Sequence, residues 1–419
     1  MNSAPVSVVK PRMRLEYLDG IRGLASLVVL FCHACAMIVF LMDDGKRLGG
    51  TAETLLLFVL RTLLHYGHVA VCVFIALSGY CLMLPVLTSR TATTPEGRGK
   101  LPGGFWSYIG RRARRILPAY FFALLFASLV RMVPGVSVPG MLWISKWRAI
   151  PDAMDYISHI LLFHNFRPDW NGQINKAFWS IAVEWQIYFI FPLVLLPIWR
   201  RFGNVGTLII PFVLGVLAQR LLPYDPGVIY VAMFATGVVA AAINMGPSQA
   251  TLNKSLYLAV AIIGFLAQAF LQLGQRASWK AHPVAKYVLL DTWGGSYPMD
   301  LFIGLATLGL LVYLTKTRQE GDTKHWALRF LESPGVTWLG AISYSLYLTH
   351  MPVLLLVARF CKPYAQPAWM FPLFLVGVAV SLGVTVVFHR FCEKPFLVTK
   401  PAAPQGVPQE SKTPLQAVS

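Results

Sequence analysis

Apolar residues gather along this chain into runs of about 20, the length an α-helix needs to cross a bilayer. The runs lie near 18–40, 67–87, 113–133, 177–198, 205–222, 228–244, 255–274, 297–315, 336–358 and 369–391. Polar and charged residues fill the intervals between them. Inside hydrocarbon a backbone must satisfy its own hydrogen bonds, so continuous apolar runs predict helices. The pattern therefore predicts an all-α fold, a polytopic transmembrane helix bundle of about ten spans. A further apolar run at 52–66 is interrupted by Arg61 and His65. It reads as an interfacial or re-entrant helix, or as an extension of the second span.

Composition agrees with that pattern. Of 419 residues, 56% are hydrophobic and 13% charged, and the mean hydropathy is +0.59. These values exclude an ordinary soluble domain. Residues 1–16 form a short basic lead-in without the apolar core of a cleaved leader. Residues 17–396 form the membrane domain, and the Pro-, Gln- and Ser-rich stretch 397–419 reads as a disordered cytoplasmic tail.

The net charge of +18 would suggest nucleic acid in a soluble protein. Here the basic residues lie between apolar runs, where they orient helices and meet anionic headgroups. No basic soluble domain exists to bind nucleic acid, so the bilayer is the expected partner. Lys10, Arg12 and Arg14, the cluster at 111–115, Arg200, Arg201, Lys316 and Arg318 all fall on one side of a ten-span chain. That side is expected to be cytoplasmic, with both termini there; which membrane is not legible. The segment 134–176 falls on the other side, with Trp143, Trp147, His159, His164 and Trp170. It reads either as a cap over a cavity or as an interfacial loop anchored by tryptophans.

Within the apolar runs a few residues are out of place. Arg22 and His33 share the first run, eleven positions apart. On a helix that is ~16 Å along the axis and nearly the same face. His33 can exchange a proton near neutral pH and serve as a general base; it can equally bridge helices. Cys32 and Cys35 beside it do not gather three ligands from one helix, so no metal is expected. Asp19 precedes Arg22 by three residues and can cap the helix or pair with it. Glu184 sits in "AFWSIAVEWQIYFIFPLVLLP", where a charge costs a few kcal/mol. It reads as a proton relay, an acceptor for a hydroxyl, or half of an ion pair. Arg111, Arg112, Arg114 and Arg115 anchor a helix end, and guanidinium forks also suit phosphate. Ser343, Tyr344, Ser345, Tyr347 and His350 form a polar stripe on the ninth run.

Taken in order, these stretches resemble the acyltransferase-3 family of integral-membrane acyltransferases. The motifs are "YLDGIRGLASLVVLFCH", "HVAVCVFIALSGYCLM", "RRARRILPAY", "FWSIAVEWQIYFIFPL", "ISYSLYLTHMPV" and "EKPF", across residues 17–396. The Arg-x10-His pair at Arg22 and His33 is the most diagnostic. The resemblance implies acyl transfer, often of acetyl from acetyl-CoA, to a hydroxyl-bearing acceptor. It implies His33 as the catalytic residue, with Arg22 and Glu184 beside it. It implies donor contacts from Arg111, Arg112, Arg114 and Arg115. Trp179, Ser180, Ser343, Tyr344 and His350 match the family's remaining motifs and are expected around the substrate. Acyl-CoA is a cosubstrate, and no bound cofactor or metal is implied. Trp185 stands where many relatives have a second acidic residue. No esterase-like domain follows the helices, and the long loop and modest tail resemble fungal members. The acceptor stays open among a lipid, a glycan and a secondary metabolite. A proton-coupled transporter using His33, Glu184 and His350 is the rival reading.

Overall fold

A computed structural model describes residues 15–42, 66–88, 99–134, 136, 150–222, 224, 227–246, 253–274, 297–364 and 366–397. The lead-in, the apolar run before residue 66, Trp143, Trp147 and the tail lie outside the described residues. Among the described residues there is no strand.

The helices are α1 (Glu16–Met42), α2 (Tyr66–Thr88), α3 (Gly104–Arg131), α4 (Ala153–Ile160), α5 (Trp179–Ile190), α6 (Leu196–Leu221), α7 (Ile229–Met245), α8 (Lys254–Gly274), α9 (Tyr297–Gln319), α10 (Trp326–Leu331), α11 (Pro334–Cys361) and α12 (Met370–Phe388). A π-helical turn at Phe191–Leu195 joins α5 to α6. The stretch Lys176–Leu221 is 46 residues of apolar helix, ~69 Å if straight, more than twice the hydrocarbon thickness. Gly203 breaks it with φ 63 and ψ −159, a conformation open to glycine because it has no Cβ. With that break and the shorter α7, ten apolar segments run through the described residues, as the hydropathy pattern predicts. α3 begins at Gly104, well before the predicted boundary at 113. Arginine is a good helix former, so the helix carries the 111–115 cluster beyond its apolar part.

α11 is the central helix, with 83% of its most apolar window buried, against 22% for α8 at the periphery. α1 and α11 cross closely: a Cβ built on Gly23 meets the Gly340 backbone nitrogen at 2.6 Å. Small residues at such a crossing let two backbones approach.

Long-range contacts divide the bundle into two ends. At the arginine end, Tyr17 and Tyr80 hydroxyls lie 2.6 and 2.7 Å from Thr315 Oγ1, and Asn244 donates to Tyr80 at 3.1 Å. Ser345 donates to Glu393 at 2.5 Å, and His389 lies 2.8 Å from the same carboxylate. Buried polar groups thus meet partners on neighbouring helices. At the opposite end, residues 150–176 fold back against α3 and α5. α4 starts on a capping box between Asp152 and Asp155. Tyr120 Oη donates to the His159 carbonyl at 2.9 Å, and Gln186 donates to Asn165 at 2.8 Å. His159 and His164 stack with centroids 3.9 Å apart and planes 2° apart. Burial lowers the His159 pKa to about 4, helped by the nearby Arg131 charge. His164 is also pushed well down, by burial and then by His159.

Candidate functional site

The arginine cluster, the membrane glutamate and the polar stripe of α11 converge on one cavity. It encloses about 870 Å³ of space counted out to its open mouth. Arg22 of α1, Arg112 and Arg115 of α3, and Glu184 of α5 line it. Ser180, Ser343 and Tyr344 line it too, and Ser78, Cys81, Tyr188 and Tyr347 were not foreseen as its lining.

Helical periodicity sorts the arginines. Positions three apart share a face, so Arg112 and Arg115 reach the cavity together. Arg111 instead donates to Ser107 Oγ at 2.6 Å and to the Pro102 carbonyl at 2.9 Å. Arg114 is exposed on the outer side and is absent from the lining. Arg22 donates to Asp19 at 2.9 Å and reaches Cys81 Sγ at 3.6 Å. Glu184 acts on Arg22 electrostatically and accepts from Tyr188 Oη at 2.6 Å. The cavity wall therefore carries three cations, one anion and six hydroxyls.

His33 and His350 lie beyond the inner wall and face each other. His350 Nε2 is 3.0 Å from His33 Nδ1, and His350 Nδ1 is 3.0 Å from the Leu346 carbonyl. A carbonyl only accepts, so His350 Nδ1 carries its proton and His350 Nε2 offers a lone pair. His33 Nδ1 then donates, and His33 Nε2 is left as a bare acceptor. His350 is fully buried and His33 half-buried, so the open side of the pair is His33. Tyr347 links the two regions: its hydroxyl is 2.6 Å from Ser180 Oγ on the cavity wall, and its ring centroid is 5.7 Å from that of His350. Tyr344 donates to the Ile116 carbonyl at 3.1 Å, and Ser343 to Gly340 at 2.8 Å, which pins α11 on α3 and on itself.

Trp179 is not at this cavity. It packs on Tyr230 with centroids 5.1 Å apart, and Tyr230 packs on His68 at 6.0 Å. Tyr188 and Ser78 gave no signal in the sequence, since a hydroxyl in a membrane helix usually bonds a neighbour. His68 and Asp300 did give one, being ionisable residues in apolar runs.

Residues 15–390 match the acyltransferase domain of the acyltransferase-3 family. The chain is 21% identical over 408 residues to the O-acetyltransferase OatA of Staphylococcus aureus (strain NCTC 8325 / PS 47), covering 91% of this chain and 57% of that protein. It is 22% identical over 412 residues to the putative O-acetyltransferase SACOL0978 of Staphylococcus aureus (strain COL), covering 91% of this chain and 58% of that protein. The chain thus spans less than two thirds of the length of these relatives. No solved structure matches it.

Proposed function

The chain belongs to the acyltransferase-3 family, and from that membership and the cavity we propose that it is a membrane-embedded O-acyltransferase. It moves an acyl group, acetyl from acetyl-CoA foremost, onto a hydroxyl of a lipid, glycan or secondary metabolite. One observation carries this reading. Arg22, Arg112, Arg115 and Glu184 come from three helices to one cavity, whose inner wall at Tyr347 is a ring contact from the His350–His33 pair.

In this reading the donor enters from the cytoplasmic, arginine-bearing end. Arg112 and Arg115 take its phosphates, where guanidinium forks match phosphate oxygens. Arg22, held by Asp19, faces the same anion deeper in. The acyl thioester lies toward Ser180 and Tyr347. Their hydroxyls supply hydrogen bonds to the oxyanion that forms when a nucleophile adds to the thioester carbon. His33 Nε2 takes the proton of the acceptor hydroxyl as its oxygen attacks. The new C–O bond forms, the C–S bond breaks, and the leaving CoA sulfur takes up a proton. His350 keeps His33 in the basic tautomer and shares the imidazolium charge that develops. Glu184, held by Tyr188, offsets part of the Arg22 charge from across the cavity. No metal enters these steps.

The test is release of CoA thiol from acetyl-CoA in membranes bearing wild-type chain or His33→Ala at matched expression, with the acylated species followed by mass spectrometry. Loss of release and of the product in the variant supports the transferase. Equal release in both, with a solute gradient that depends on the chain, would establish the transporter instead.

A further inference from the structure

At the end of the bundle opposite the arginines, α2 and α9 bring three unlike groups together. His68 Nε2 is 2.5 Å from Asp300 Oδ1. Cys72 Sγ is 3.6 Å from the same imidazole nitrogen and 3.9 Å from the same carboxylate oxygen. All three donor atoms lie within 4.8 Å of one another. We infer that His68, Cys72 and Asp300 form a zinc-binding site that clamps α2 to α9, separate from the acyl-transfer cavity.

The donor set selects the ion. A thiolate disfavours calcium and magnesium, which prefer oxygen, and an imidazole with a thiolate suits zinc. Zinc bonds of about 2.0–2.3 Å at tetrahedral angles put ligand atoms about 3.3–3.6 Å apart. The two edges that involve sulfur already match within about 0.4 Å by that measure. The third edge is short because a proton bridges His68 and Asp300, and replacing it with a metal opens the edge by about 0.8 Å. His68 and Cys72 are four apart on one helix face, so a single turn presents both.

Charge favours the same conclusion. A thiolate and a carboxylate cancel a dication, so the loaded site is neutral where a net charge is costly. Cys72 is 1% exposed and the Asp300 side chain 2%, whereas the His68 side chain is 36% exposed and gives the ion a way in. On binding, the thiol releases its proton to solvent. The imidazole coordinates through Nε2, the proton that bridged it to Asp300 moving to Nδ1, which faces Tyr230 Oη at 3.5 Å. An outer hydrogen bond of that kind orients a metal-bound imidazole.

The full chain, purified in detergent and stripped with a chelator, is titrated with cobalt(II) and then with zinc. The expected result is one cobalt per chain with a sulfur-to-cobalt charge-transfer band, bleached by stoichiometric zinc. Cys72→Ala should lose the band and bind zinc at least about a hundredfold more weakly, while Cys361→Ala binds as wild type. CoA release by Cys72→Ala checks its fold without bearing on the ion. A wild-type chain without the band, or a band that survives Cys72→Ala, overturns the assignment.

Discussion

Gly23→Ala tests whether the spacing of α1 and α11 sets the geometry of the site. The new methyl would stand 2.6 Å from the Gly340 nitrogen, 2.8 Å from the Val336 oxygen and 2.9 Å from the Leu339 Cβ. Two of these are backbone atoms and cannot rotate away. Ordinary van der Waals contact requires the helices to part by about 0.8 Å, and such overpacking costs about 1–3 kcal/mol. The same two helices hold the His33–His350 bond at 3.0 Å. Parted by that amount, the bond lengthens to about 3.8 Å, outside hydrogen-bonding distance. Arg22, the neighbour of Gly23, shifts relative to Arg112 and Arg115. A displacement near 1 Å is worth about a hundredfold in rate at a positioned site. The assay is initial acyl transfer with purified chain, alongside thermal unfolding. Gly383→Ala is the control, since a Cβ there meets nothing within 4 Å. The same chemical change should then be silent, or stabilise α12 by up to about 1 kcal/mol. Wild-type turnover and unfolding temperature in Gly23→Ala would refute the argument.

Other expectations follow from the same geometry. Arg112→Ala should raise KM for acyl-CoA about tenfold or more through a lost charge-assisted phosphate contact, while Arg111→Ala, already bonded to Ser107 and Pro102, changes KM less than about twofold by comparison; steady-state kinetics at two salt concentrations separate them. His350→Ala should lower kcat about tenfold to a thousandfold with KM little changed, and His350→Gln, whose carbonyl accepts from His33 Nδ1, should restore part of the rate; equal losses in both variants would remove the tautomer argument. The fold should weaken in acid because His159 is held near pKa 4 by burial, against an ordinary 6.5. The unfolded chain binds the proton first, so stability is full above the ordinary value, falls between it and about pH 4, and levels off below. The shift corresponds to about 3 kcal/mol. Thermal unfolding across that window should fall more in wild type than in His159→Phe, and parallel curves would count against it.

Much of the fold was legible in the sequence because the bilayer imposes a simple rule. About 20 apolar residues per crossing is a local property, so the segments at 18–40, 336–358 and the others could be read one at a time. The misfits were legible for the same reason: Arg22, His33 and Glu184 stand out against an apolar background. Asp300 is a misfit of the same kind, an acidic residue inside the run at 297–315. What the tertiary structure decided is which of these residues meet. His33 and His350 are 317 positions apart, and no periodicity within either helix says that they touch, nor which ring nitrogen each presents. The four arginines are one motif in the sequence and two groups in the fold, because rotation about α3 turns Arg112 and Arg115 to the cavity and Arg111 and Arg114 away. Trp179 belongs to a motif beside Ser180, yet its ring turns to Tyr230 at the opposite end of the bundle from the arginines. Helix formation answers to local hydrogen bonding and hydrophobicity, whereas a site is made by helices that pack from distant parts of the chain, and that packing depends on the shapes of all the faces at once.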